Sequence, residues 1–424
     1  MEGITTGHTE LVGVSAPVPA GRRLARPWTL SWTDGTRSFL GSGIAAEVVA
    51  SAPGRLLDAL SQGRIEFDDE SNTPPAPWFG GFAFDSTATV DGWWEGFPAG
   101  RAIVPELLLS MEGDQARLTA FARAEESGVA AARALARKRL AQGQAQLVPE
   151  PEEPLPAPTT RLQPGNRAGW DALVAQALEA FGRQQLRKVV LARALDVVAA
   201  RPLDAGAVLR RVENTAGPAV SYGLAGRDGT MLLGASPERL FVLEGGLLET
   251  QALASSAPPE QLDRLTGGPK EAREHAAVVE SIRAALGPLS VEVEVGRSPE
   301  PLALGYVAHL RTPVRARLRP GVRAAEVVRA LHPTAAVGGT PRDEALAFLR
   351  RHEGLARGWY AGAVGWLGPD SADLRVALRC ALLRGTTARL FSGAGVVPGS
   401  TAEDEWQETA LKARFMLRAL GAEG

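Results

Sequence analysis

The chain has 424 residues, 45% hydrophobic and 22% charged, with a formal net charge of −2 and one cysteine. A chain this long buries a sizeable core unaided, and a single thiol excludes both an intramolecular disulfide and a Cys-based zinc cage. The balanced charge, mixed along the chain, argues against a nucleic-acid footprint and against a polybasic membrane anchor.

Residues 1–21 have neither the basic start nor the apolar stretch of a secretion signal. No apolar run is long enough to span a bilayer, so the expected location is the cytoplasm. Further along, Trp78-Phe-Gly-Gly-Phe-Ala-Phe84 reads as a buried core strand, and residues from about 125 to 147 as an amphipathic helix. The proline-dense, acidic stretch that follows is neither helix nor central strand. It predicts an extended connector over 148–160, between an N-terminal portion (1–147) and the C-terminal remainder (161–424).

Beyond it, Lys188-Val-Val-Leu-Ala-Arg193, Met231-Leu-Leu-Gly-Ala235 and Leu374-Arg-Val-Ala-Leu-Arg-Cys-Ala-Leu382 read as strands. Helices are predicted at about 168–185, 269–286 and 402–420. In the last strand Leu374, Val376, Leu378, Cys380 and Leu382 share one face, and Arg375 and Arg379 the other. Cys380 is therefore expected in the core. The fold class is mixed α/β (α+β).

The helix around 269–286 carries Glu271 and Glu274 on the stripe of Val278 and Ile282, which faces the core. The last helix repeats this: Glu405 and Glu408 extend the stripe of Phe415, Met416 and Ala419, with Lys412 beside them. Buried carboxylates are costly unless paired, protonated or metal-bound. Two inward acidic pairs point to a hard cation with oxygen ligands, for which magnesium fits best. The alternative is that these acids stay solvated and serve the helix dipole.

Three local features are weaker alone. Ser392-Gly-Ala-Gly-Val-Val397 reads as a tight turn whose amides can approach an anion. His309 reads as an ordinary buried histidine. Lys188 opens an apolar strand, where a lysine normally reaches back to water.

In chain order, nine segments resemble the chorismate-binding enzymes. They are Lys188-Val-Val-Leu-Ala-Arg193, Gly234-Ala-Ser-Pro-Glu-Arg-Leu240, Glu249-Thr-Gln-Ala-Leu-Ala-Ser-Ser256, Lys270-Glu-Ala-Arg-Glu-His275 and His309-Leu-Arg-Thr312. The others are Leu331-His-Pro-Thr-Ala-Ala-Val-Gly-Gly339, Trp359-Tyr-Ala-Gly-Ala-Val-Gly365, Ser392-Gly-Ala-Gly395 and Glu405-Trp-Gln-Glu-Thr-Ala-Leu-Lys412. The resemblance covers the chain after the connector. It implies one large assembly, a central β core surrounded by helices, which the N-terminal portion joins. It also implies a magnesium site of Glu271, Glu274, Glu405 and Glu408, with Glu274 and Glu408 nearest the ion. Chorismate would be held by Thr250, Ser256, His309, Ala336, Tyr360, Arg379, Lys412 and the backbone at Gly393 and Gly395. A monomer or weak homodimer is expected.

Family members differ in nucleophile. Hydration needs a base to polarise water and an acid to protonate the leaving hydroxyl. By resemblance Lys188 is the base and Glu238 the acid, as in the water-using members; a desolvated lysine near other charge can serve. The resemblance also makes Ala336 a mark of an enzyme that stops at isochorismate, where salicylate synthases have threonine. The expected activity is thus isochorismate synthesis for menaquinone or a catechol siderophore. A salicylate synthase, an aminating subunit and a non-catalytic chorismate-binding regulator are the alternatives. Ser255, where the family usually has glycine, and Ala335, where it commonly has proline, depart from the pattern.

Overall fold

The computed structural model describes residues 10–25, 27–60, 64–67, 78–88, 91–124, 128–149, 157–163, 165–257, 260, 269–304, 307–368 and 371–422. Side chains at 64, 255, 256, 269–271, 273, 274 and 304 fall outside that description. Two large sheets dominate, of 13 and 10 strands among the described residues. The strand Lys188–Ala199 lies in the first, beside Thr387–Val396, Cys380–Arg384, Met231–Ser236 and Val220–Ala225 in that order. The second includes Val307–Leu318, Leu247–Ala257, Arg239–Glu244, Ser371–Val376 and Ala363–Leu367. One apolar core cluster draws residues from both sheets, including Leu191 and Phe391 from the first and Phe241 and Val364 from the second.

Residues before and after the proline-rich segment are interleaved. Leu30–Thr33 pairs antiparallel with Val220–Ala225, and Trp78–Phe82 with Ala363–Leu367. The connector predicted over 148–160 begins inside a strand, Leu147–Pro149, which pairs with Arg22–Leu24 in a two-stranded ribbon where its proline is tolerated. The expected helix near 125–147 runs over Gly128–Ala145, packing Ala132, Ala136 and Leu140 inward. The two later helices read from periodicity are found at Pro269–Leu286 and Ala402–Leu420.

Two readings need correction. The single strand predicted over 374–382 is two strands in different sheets, Ser371–Val376 and Cys380–Arg384, with a break between them. Arg379 sits in that break with φ 48°, so Arg375 and Arg379 do not share a strand face. Alternation continued across the break because both sheets bury their residues there. Arg375 is instead paired to Asp373, at 2.6 Å. The segment 392–396 is strand interior, not a turn: Gly393 pairs with Ala192 and Gly395 with Val190. Glycine is needed at 393, since a Cβ would lie 2.8 Å from the Leu191 carbonyl and 2.9 Å from the Tyr360 hydroxyl. Cys380 is fully buried, as expected of a core residue, and burial pushes its thiol up to about 12.

Candidate active site

The chain passes between the sheets at two neighbouring places. After Ser236 it leaves the first sheet and enters the second at Arg239, with Pro237 and Glu238 in the passage. After Val376 it returns, with residues 377–379 in the passage. The two passages are hydrogen-bonded together. The Val376 amide donates to the Glu238 carbonyl at 3.0 Å, and the Ala235 amide to the Arg379 carbonyl at 3.3 Å. The Ser236 hydroxyl donates to the Val376 carbonyl at 2.5 Å. This seam fixes Glu238 and Arg379 beside one cavity.

Lys188, Glu238, His309, Ala336, Tyr360, Arg379, Gly393, Gly395, Glu408 and Lys412 all line that cavity, with Val337, Ala361 and Phe391 among the apolar wall. Five charged side chains, Lys188, Glu238, Arg379, Glu408 and Lys412, converge there between apolar walls, an arrangement suited to a small polar ligand. Thr250 is not part of its lining; its hydroxyl donates to the Leu240 carbonyl at 2.8 Å and so ties neighbouring strands. Ser256 pairs by its backbone with His309, next to a register shift at position 255. The departure Ser255 therefore lies at a bulge beside the site, where bulges commonly re-aim neighbouring groups.

Burial raises the Glu238 carboxyl to about 7, despite opposing effects from the Thr334 hydroxyl, Lys188, Lys412 and Arg379. Thr334 Oγ1 donates to Glu238 Oε1 at 3.3 Å. Burial also lowers Arg379 to about 10. Arg379 Nη2 donates to His309 Nε2 at 3.0 Å. The Tyr360 ring stacks on Phe391 with centroids 5.2 Å apart, and burial pushes its hydroxyl pKa up. Lys412 Nζ donates to the Gly393 carbonyl at 3.0 Å and to Glu408 Oε1 at 2.5 Å.

Backbone strain gathers here as well. Arg379 and Ala361, both lining the cavity, have φ of 48° and 60°, which side-chain-bearing residues adopt at a cost. Composition gives no sign of this, so Ala361 was not legible as a site residue. Thr334 was missed too: its hydroxyl acts through the fold, not through a spacing rule.

Among the predicted metal acids, Glu405 is buried at 3% exposure and Glu408 is half-buried at the cavity wall. Both inward positions agree with the stripe argument for this helix. The side chains of Glu271 and Glu274 lie outside the described residues, while Val278 and Ile282 of their stripe are buried. Among the described residues no group of three or more His, Cys, Asp or Glu is placed to hold a metal ion.

The family model described as "Chorismate binding enzyme" matches residues 33–421. The chain belongs to the chorismate-binding enzyme family. Within it, a relative named "Salicylate biosynthesis isochorismate synthase", from Pseudomonas aeruginosa, is 36% identical over 81% of this chain and 74% of its own length. Isochorismate synthase MenF of Bacillus subtilis is 32% identical over the same shares. Among solved structures, the menaquinone-specific isochorismate synthase MenF of Escherichia coli superposes with a TM-score of 0.80. It is 27% identical, over 98% of this chain and 96% of that one. Anthranilate synthase component I of Streptococcus pneumoniae shares the fold at a TM-score of 0.72 and 22% identity, over 91% of this chain and 92% of that one. The chorismate-binding fold thus spans both the strands before the proline-rich segment and those after it.

Proposed function

We infer that this chain is an isochorismate synthase, converting chorismate reversibly to isochorismate. The observation that carries this reading is the cavity wall itself. Lys188 and a carboxyl held near neutrality, Glu238, border one chamber that also contains Arg379 and Lys412 for an anionic substrate.

In the proposed chemistry, Lys188 accepts a proton from the water whose oxygen bonds to C2. The ring double bonds shift and the C4–oxygen bond breaks. Glu238 delivers its proton to that departing hydroxyl, which leaves as water. Return of the proton from Lys188 to Glu238 resets the pair. Arg379 and Lys412 hold substrate carboxylates, while Tyr360 and Phe391 exclude bulk water along one wall.

Glu405 and Glu408 offer carboxylate oxygens from the inward face of one helix, the donor type a hard dication takes. With Glu271 and Glu274 they would hold magnesium. When bound, that ion would supply positive charge to one substrate carboxylate. The product is proposed to supply menaquinone or a siderophore pathway from the cytoplasm, with the protein acting as a monomer or weak homodimer.

The test is an assay of the purified protein with chorismate and magnesium. Isochorismate as the product supports the reading, and its absence overturns it. Fluorescent salicylate with released pyruvate, in the absence of any lyase, would identify a salicylate synthase instead.

A further inference from the structure

Two residues that do not line the cavity grip its walls. Glu353 stands at the C-terminal cap of the helix Arg342–His352 and Arg357 four residues on, beyond the helix; they form an ion pair in which the side chains are 3% and 4% exposed. Arg357 donates to both oxygens of Glu353, at 2.7 and 2.6 Å. Its outer nitrogens also reach two carbonyls: Nη1 donates to Val337 at 2.9 Å and Nη2 to Val190 at 2.6 Å. Glu353 Oε1 in turn accepts from the Ala192 amide at 2.8 Å. The guanidinium lies over the Phe84 ring, 4.3 Å from its centroid, so the N-terminal portion backs the same cluster.

The backbone groups gripped are not arbitrary. Val190 and Val337 both line the cavity. Val190 is two residues after Lys188 on its strand. Val337 belongs to the loop whose Thr334 hydroxyl donates to Glu238. That loop closes on itself, since the Val337 and Gly338 amides donate to the Thr334 carbonyl at 3.2 and 2.9 Å. It also meets the strand where the Val190 amide donates to the Gly338 carbonyl at 3.0 Å.

We propose that Glu353 and Arg357 are positioning residues that set the spacing between the Lys188 strand and the loop that steadies Glu238, and so the alignment of base and acid. Stability alone gives little reason for the arrangement. A buried ion pair is often matched or exceeded by well-packed apolar residues of similar volume, although removing one partner is strongly destabilising. What an apolar pair cannot reproduce is a planar fork that holds carbonyls from two segments at once. The inference rests on the roles given above to Lys188 and Glu238.

The test compares Arg357→Lys and the double variant Glu353→Leu/Arg357→Met, which removes both charges together, with the parent protein. Two readouts are needed: steady-state kinetics of isochorismate formation, and hydrogen exchange of the amides at 188–192 and 334–338. The double variant is expected to stay folded with a lowered Tm, since the Val190 and Val337 carbonyls and the Ala192 amide lose these partners. Its kcat should fall about 100-fold, the scale of a 1 Å misalignment, with KM changed less than about threefold. Exchange should rise in those two segments and not elsewhere in the sheets. Arg357→Lys should show the same local exchange and an intermediate kcat. Parental kcat in a folded double variant would overturn the proposal. So would unchanged exchange at 334–338 in both variants, or a rise spread evenly over both sheets. If the parent protein makes no isochorismate, the functional reading fails, and the exchange comparison still decides whether the pair holds the loop.

Discussion

Arg379 donates to Nε2 of His309 across 3.0 Å, so the imidazole turns a lone pair to the guanidinium and carries its proton on Nδ1. Both side chains are thereby fixed at the cavity, although Arg379 must adopt a left-handed backbone to get there. A strained, partly desolvated cation has little to recommend it for stability. Arg379→Gly should therefore keep or raise thermal stability, by about 1 kcal/mol from the relieved backbone. The same change should raise KM for chorismate at least tenfold, the scale of losing a charged hydrogen bond of about 1.5–3 kcal/mol. Thermal melts and kinetics on one preparation check both halves.

Glu238 gives a pH prediction with a definite sign. Its folded pKa of about 7 lies above the usual carboxyl value of 4.5 because burial disfavours the charge. Acid catalysis needs the protonated form, so kcat/KM should decline as pH rises through about 7. Stability follows the same direction. The contribution is fully present below about pH 4.5 and is lost as pH rises to about 7, a loss of about 3 kcal/mol. Glu238→Gln should consequently abolish turnover while melting at a higher temperature than the parent at pH 8. A variant melting lower at that pH would contradict the assignment.

Lys188→Met tests the base separately from substrate binding. Turnover should fall by about 100-fold to 10,000-fold, the range for removing a positioned general base. Chorismate affinity, measured by calorimetry, should change little. Loss of binding in step with turnover would instead make Lys188 a substrate anchor.

For the metal, Glu405→Gln and Glu408→Gln should each raise the magnesium concentration needed to stabilise the protein thermally. The readout is the shift of Tm with added magnesium, with no substrate present. Glu408→Gln should also remove the ion pair of Lys412, at 2.5 Å, and leave its ammonium on the Gly393 carbonyl. An identical magnesium response in parent and variants would exclude these acids as ligands.

Gly393→Ala probes the close approach of strand and ring. The added carbon would meet the Leu191 carbonyl and the Tyr360 hydroxyl below 3 Å. Stability should drop by about 1–3 kcal/mol, the range for overpacking a filled interior. A variant of parental stability would show that the ring yields.

Helices with a steady apolar period were readable from sequence, and Ala402–Leu420 appears with the bounds expected. The inward setting of Glu405 was readable for the same reason: a helix fixes which residues share a stripe. The passage at 377–379 was not readable. Leu374, Val376, Cys380 and Leu382 are all buried, so the alternation of one strand runs unbroken into the next although the sheet changes. Nor does an Arg four residues after a Glu announce burial, since the same spacing is common on exposed helices. Glu353 and Arg357 become visible only once Val190 and Val337 are brought to them. Lys188 and Glu238 were singled out by resemblance to a family, and folding brings them to the same chamber.

The interleaved sheets also constrain how the molecule can be made. Leu30–Thr33 finds its partner in Val220–Ala225, nearly two hundred residues later, and Trp78–Phe82 must wait for Ala363–Leu367. On the ribosome, the early strands therefore emerge with bare edges that only later synthesis can cover, a setting that favours slow folding and chaperone engagement. Cutting the chain at the proline-rich segment would leave two fragments with unpaired strand edges, not two modules. The last helix brings Glu408 and Lys412, so the chamber is finished only when nearly all the rest of the chain is in place.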